Sequence, residues 1–460
     1  MYLHGTGRSE HLWERMNDRQ QLVAMLSVAT AIVLANPGRL HADNWPQWRG
    51  PYFNGSSKET GLPAQFSRTE NVRWTADLPG SSAATPVIWG DRVFVSSVHA
   101  QAGTLLAICL DRTTGKERWR YQAGTGIGQD DRSNYASPSP VTDGKLVWFF
   151  YGNGELIALD FDGKKVWSRN LQKDYGQFAF LWTFSTSPLL HEGRLYLQVL
   201  QRDVPVNGRG RADGPNESYL LALEPETGKE LWRRVRPSDA VQESREAFTT
   251  PVPFVHDSRA EILVAGGDCI TGHDSATGRE LWRWGTWNPG RIGHWRLVPS
   301  PVAGGGVVLA CAPKGSPVYS VKAGGDGALT ESDLAWVSPD REISSDVSTP
   351  LFYQGLFYIL NSDKRTLSSV EPATGKVLWT GSLESKAKIE ASPTGADNKI
   401  YMMNHRGDVF VVQAGDQFKV LHTTSMGEAD DKDLRSSIAV SQGNLFIRTG
   451  KKLYCIGRKT

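Results

Sequence analysis

Apolar runs of strand length recur along this chain, each bounded by turn residues: Arg92-Val-Phe-Val, Lys145-Leu-Val-Trp-Phe-Phe, Arg194-Leu-Tyr-Leu, Ile262-Leu-Val, Val307-Val-Leu, Leu356-Phe-Tyr-Ile, Lys399-Ile-Tyr-Met and Asn444-Leu-Phe-Ile. Their composition and length predict strands. A few residues ahead of each stands Ser or Thr followed by Pro, at Thr85-Pro86, Ser139-Pro140, Ser187-Pro188, Thr250-Pro251, Ser300-Pro301, Thr349-Pro350 and Ser392-Pro393, with Ser437-Ile438 keeping the place without proline. Proline cannot donate to a ladder, so the landmark marks a strand beginning or an edge. The pattern predicts eight units.

A second phrase closes most units. It reads Asp111-Arg-Thr-Thr114-Gly115-Lys116-Glu-Arg-Trp119 and returns ending at Trp232, Trp282 and Trp379, with a copy one residue shorter from Asp160 to Trp167. Gly suits the left-handed position of a tight hairpin, and the acid opens the turn. The Trp falls on the outgoing strand, where a flat ring fills the wedge between neighbouring sheets. A strand-and-turn period of roughly 45 to 60 residues is the signature of a repeat architecture. The expected fold is therefore all-β, an eight-bladed propeller of four-stranded antiparallel blades. The chain stops soon after Leu453-Tyr454-Cys455-Ile456, and Asn71-Val-Arg-Trp74 supplies the missing strand, so N- and C-terminal strands are expected to share one blade. In the seventh unit His422 stands where the wedge ring should be, and a polar wedge at the seam is expected.

These Asp/Glu-x-x-Thr-Gly-Lys-x-x-Trp repeats resemble the tryptophan-docking motifs of the quinoprotein alcohol dehydrogenases, over about residues 45–456. The resemblance implies an eight-bladed propeller and raises pyrroloquinoline quinone (PQQ) with calcium as cofactors. The same repeats build non-enzymatic binding propellers, and the chain reads as closer to these. Those enzymes commonly carry adjacent cysteines over the quinone; Cys109, Cys269, Cys311 and Cys455 are far apart. They read as buried small residues, with no C-x-x-C for zinc and no C-x-x-C-H for haem.

Basic and acidic residues number 51 and 49, so no broad attraction to nucleic acid is expected. Residues 22–35 are apolar or small and follow Arg15 and Arg19, which predicts a signal segment with Leu40-His41-Ala42 as cleavage site and Met16 as an alternative start. Residues 1–42 are thus read as extension and signal, and 43–460 as the propeller. The mature chain is expected to be periplasmic or secreted, monomeric and without a membrane span. With no Cys after the apolar stretch it departs from the propeller lipoprotein of the outer-membrane β-barrel assembly machine.

Loops leading into the innermost strands of a propeller surround one mouth of its channel. The residues so placed are Tyr135, Trp182, Glu246, His294, Trp295, Arg296, Asp346, Lys388, Asp433 and Arg435. Arg holds carboxylates in a bidentate manner and Trp stacks on flat rings. The leading expectation is a binding scaffold for a protein or glycan partner at the mouth or rim. The alternative is a PQQ- and calcium-dependent dehydrogenase of an alcohol or sugar, with Glu246, Asp346 or Asp433 as base. A glycan-cleaving reading needs Glu246 and Asp433 to meet.

Overall fold

The chain is described by a computed structural model covering Met1 and residues 44–339, 341 and 343–458. The signal segment, its cleavage site and Met16 lie outside these. No helix of the described residues is long and apolar enough to cross a membrane.

Eight sheets are arranged as propeller blades, and the propeller is almost free of helix. Each innermost strand starts directly after its Ser/Thr-Pro landmark, as at Val87–Trp89, Leu189–His191 and Leu351–Tyr353. The eighth blade joins Ala439–Ser441, Asn444–Arg448 and Lys452–Gly457 to the N-terminal strand Val72–Asp77, with Trp74 opposite Cys455. Both chain ends are thereby paired and the ring has no open edge there. One blade is wider than expected. An insertion in the fifth unit lays Gly327–Ala328 parallel to Glu280–Gly285, giving the fourth blade a fifth strand.

The repeated phrase acts across a seam between blades. Asp111 accepts the Thr113 and Thr114 amides, and the Gly115 amide returns to the Asp111 carbonyl at 2.8 Å. Gly115 has φ of 71°, and a Cβ there would come within 2.5 Å of Trp74, the wedge residue of the preceding blade. The glycine is thus demanded twice, by backbone conformation and by the indole lying on it. The indole nitrogens complete the dock: Trp74 donates to Arg112 O at 2.7 Å, Trp119 to Phe161 O at 3.0 Å, Trp167 to Pro225 O at 2.7 Å and Trp336 to Pro372 O at 2.7 Å. Trp282 turns instead to Glu261 Oε2 at 2.7 Å. His422 keeps the seam polar, with Nε2 at 2.8 Å from Phe66 O.

The Ser/Thr of each landmark does more than precede a proline. Thr85 N–H donates to Ser139 Oγ, Ser139 N–H to Ser187 Oγ, Ser187 N–H to Thr250 Oγ1 and Thr250 N–H to Ser300 Oγ. The series continues from Ser300 to Thr349, to Ser392 and to Ser437. These bonds run from blade to blade around the channel at 2.8–3.2 Å. Buried backbone donors need acceptors, and here the neighbouring blade supplies them.

Candidate functional site

The channel encloses a cavity of about 620 Å³. Six of the landmark hydroxyl residues line its wall: Ser139, Ser187, Thr250, Thr349, Ser392 and Ser437. Trp48 also lines it, and comes from a segment that the repeats do not include. That segment leaves the first blade, where Trp45 pairs with Ile88, and meets the second where Pro46 O accepts Thr142 N–H. It reaches the sixth and seventh blades through Asn54 O to Phe352 N–H and Gly55 O to Gly395 N–H. All these partners lie beyond the landmarks on the innermost strands, so the segment crosses the channel at the end away from the entry loops. Arg49 fixes it: the residue is 4% exposed, and its guanidinium donates to the carbonyls of Pro393, Asn54 and Pro350 at 2.9, 3.0 and 2.8 Å. Burial without a facing carboxylate lowers its pKa to about 9.

The open end is ringed by charge. Arg132, Arg296, Lys314, Arg341, Lys364, Lys388 and Arg435 line the cavity together with the carboxylates Asp346, Asp363 and Glu390. Each carboxylate is engaged. Asp346 accepts the Lys314 amide at 2.7 Å, and Asp363 lies 2.6 Å from Lys388 Nζ. Glu390 Oε2 meets Arg435 Nε at 2.6 Å and His405 Nε2 at 2.9 Å. Burial would raise the Glu390 carboxyl, but the His405 hydrogen bond and the Arg435 charge hold it down at about 2. Arg132, Arg341 and Lys364 have no ion pair among the described residues. Arg132 and Arg296 lie over the Trp182 ring at 5.6 and 5.5 Å, and Trp182 Nε1 and Arg296 share Glu243 Oε1.

Of the residues named from sequence, Trp182, Arg296, Asp346, Lys388 and Arg435 line this cavity. Asp433 lies with Lys388 and His405 in a second depression beside it, its Oδ1 3.6 Å from His405 Nδ1. Tyr135 packs between the first two blades, its ring against Gly128. His294 is exposed on its loop, and the half-buried Trp295 packs on the apolar cluster that includes Trp284 and Trp287. Glu246 is fully buried, accepting from Arg202 and from the Leu181 amide. Burial pushes its carboxyl up to about 7 against the pull of Arg202. Glu246 belongs to the approach to the fourth blade and Asp433 to that of the eighth, across the ring, so the two carboxyls do not form a catalytic pair.

Trp48, Lys314, Arg341 and Lys364 were not singled out by the repeat. The signal for the first was present in Trp45-Pro-Gln-Trp48-Arg49-Gly50-Pro51, two indoles and a cation just ahead of the first unit. All four cysteines are buried and free. Burial raises the thiols of Cys109, Cys311 and Cys455 to about 12, whereas Cys269 Sγ lies 3.1 and 3.0 Å from Arg236 and Arg283.

A family model described as "Outer membrane protein assembly factor BamB", built on PQQ repeats, matches residues 60–204, 179–326 and 334–460. A polyvinylalcohol dehydrogenase of a Pseudomonas species is 26% identical over 201 residues, 42% of this chain and 29% of that protein. The chain spans between 26% and 56% of the length of the curated relatives it matches. Among solved structures, quinohemoprotein alcohol dehydrogenase from Comamonas testosteroni superposes with a TM-score of 0.60 at 15% identity, covering 94% of this chain and 83% of that one. BamB from Moraxella catarrhalis superposes with a TM-score of 0.54 at 15% identity, covering 84% and 99%. At such identities the superpositions speak for the fold alone.

The dehydrogenase relatives bring PQQ and calcium into question, and the cavity fits them unequally. A flat, carboxylate-bearing ring finds indole and guanidinium partners in Trp48, Trp182 and Arg132. Calcium requires six to eight oxygen ligands. The mouth carboxylates are engaged by cations or amides, and no group of three His, Cys, Asp or Glu among the described residues could hold a metal ion. The described residues do not fit calcium.

Proposed function

Since the chain belongs to the PQQ-repeat family of outer membrane protein assembly factor BamB, we propose that it is an exported binding propeller whose channel mouth receives an anionic group of a protein or glycan partner. One observation carries this reading: the mouth carboxylates are engaged while Arg132, Arg341 and Lys364 remain without counter-ions among the described residues. Such a rim attracts anions, and among the described residues it offers no free carboxylate pair for proton transfer to a substrate. In this reading residues 1–42 direct export and 43–460 act in the periplasm or outside the cell, as a monomer.

The test is retention of the chain from Asp43 onward on immobilised polygalacturonate and polyglutamate at low salt. Retention that weakens with salt and disappears in the Arg132→Ala, Arg341→Ala, Lys364→Ala triple variant is expected. Elution of the unaltered chain in the void from both matrices sinks the reading. The dehydrogenase alternative is favoured by one feature, the Trp182 ring with Arg132 and Arg296 over it. Calorimetric titration with PQQ, with and without calcium, decides it: tight calcium-dependent binding supports a dehydrogenase, and absence of heat at high quinone removes it.

A further inference from the structure

The landmark hydroxyls have a chemical capacity that holding the blades together leaves unused. Ser139, Ser187, Thr250, Thr349, Ser392 and Ser437 each accept one backbone N–H from the preceding blade. A hydroxyl that accepts still has its own proton to donate. None of these six protons has an acceptor among the described residues, and all six residues line the cavity. The wall is therefore a belt of hydrogen-bond donors spaced around the channel. At one end of the same cavity is Trp48, half-buried and held by the Arg49 clamp; at the other are the cations that have no ion pair among the described residues.

Three demands follow for whatever occupies this space. It must present acceptors around its whole perimeter, an apolar face to an indole, and a negative charge toward the rim. A pyranose ring meets the first two, because its hydroxyl oxygens radiate from the ring edge while its axial C–H groups form a face that packs on the negative face of an aromatic ring. A carboxylate or sulfate on that sugar meets the third. An acidic peptide supplies the charge but offers few acceptors around a perimeter. The volume is within the range of small-molecule sites and accommodates one or two sugar rings.

We propose that the channel binds the terminal anionic pyranose of an acidic glycan, stacked on Trp48, encircled by the Ser/Thr belt and held at its acidic group by Arg341 and Lys364, which the sixth blade places on one side of the rim. This rests on the anion-binding reading above and names its ligand class. It also assigns Trp48 as the residue that separates sugar from other anions.

Calorimetry on the chain from Asp43 onward tests it, with glucuronate, glucose 6-sulfate, glucose, tetraglutamate and PQQ as separate titrants. Binding of glucuronate or glucose 6-sulfate, with glucose and tetraglutamate at least about tenfold weaker, is expected, and the two acids tell a carboxylated from a sulfated terminus. Trp48→Ala should weaken the acidic sugar by about tenfold or more and Trp48→Phe by less, with thermal melts of both variants confirming a folded propeller. Should Trp48→Ala fail to fold, saturation-transfer NMR on the unaltered chain replaces it. Magnetisation must then reach the axial ring protons of the bound sugar more strongly than its other protons. Tetraglutamate or PQQ binding while the sugar acids do not overturns this inference and leaves anion binding standing. Absence of binding by every anion overturns both.

Discussion

At the residue scale, this fold depends on positions where one side chain answers two requirements. Gly278 has φ of 71° and lies under the Trp232 indole, where a Cβ would stand 2.5 Å from the ring. Gly278→Ala should cost roughly 2 to 4 kcal/mol, from left-handed strain and overpacking together. Urea unfolding measures it, and a loss below about 1 kcal/mol would mean that the dock adapts. His273 presents a titration argument. Nδ1–H donates to the Gly278 carbonyl at 3.2 Å, leaving Nε2 to accept from Thr271 Oγ1 at 2.9 Å, so the ring is held neutral. Burial first, and the neighbouring Arg236 second, lower its pKa to about 4. The unfolded chain binds this proton at about 6.5, so between about 6.5 and 4 the unfolded state holds more protons and stability falls as pH falls. The stabilisation present above about pH 6.5 is on the order of 3 kcal/mol. Unfolding free energies of the unaltered chain and of His273→Gln should therefore converge from about pH 7 to about pH 4. Parallel curves would show that the ring is not held neutral.

At the element scale, the segment carrying Trp45, Trp48 and Arg49 behaves as a strap rather than a linker, although it contributes little more than bridges to the sheets. Its attachment concentrates in Arg49, whose donors satisfy two proline carbonyls from different blades. Arg49→Ala leaves those buried acceptors unpaired, at an expected cost of roughly 2 to 4 kcal/mol. It should also release the strap to limited proteolysis near Gly50 and Gly55 before the blades are cut. Equal protease resistance in the two proteins would place the anchorage elsewhere. The Thr-Gly-Lys hairpins, in contrast, were readable in detail, because a turn is a local object. Its acid, its hydroxyl and its glycine lie within a few residues of one another, and the bulge beside it, as between Ala222 and Leu223, follows from the same short segment.

At the scale of the whole molecule, closure is decisive. The eighth blade is built from an N-terminal and three C-terminal strands, so its seams with the first and seventh blades depend on Val72–Asp77 pairing with Lys452–Gly457. Deleting residues 452–458 removes the partner of Trp74 and opens two sheet edges; such a chain should lose its cooperative thermal transition by circular dichroism. A truncated protein that still melts sharply would show that neighbouring blades hold one another cooperatively without ring closure. The blade count, the hairpins, the wedge rings and the shared blade are all legible in the amino-acid order, because each depends on a motif that repeats and on apolar runs that must be buried. The same repeat brings five mouth residues, Trp182, Arg296, Asp346, Lys388 and Arg435, to the cavity they line. It does not separate these from Tyr135, Glu246 and Trp295, which stand at comparable positions in their loops but turn into packing or buried ion pairs. That distinction exists only in the folded ring, as do the place of Trp48 in the channel and the joining of the Ser/Thr landmarks into a belt around it. The cause is distance: which way a loop side chain turns, and what a hydroxyl meets one blade away, depend on atoms about fifty residues removed along the chain, roughly one repeat period.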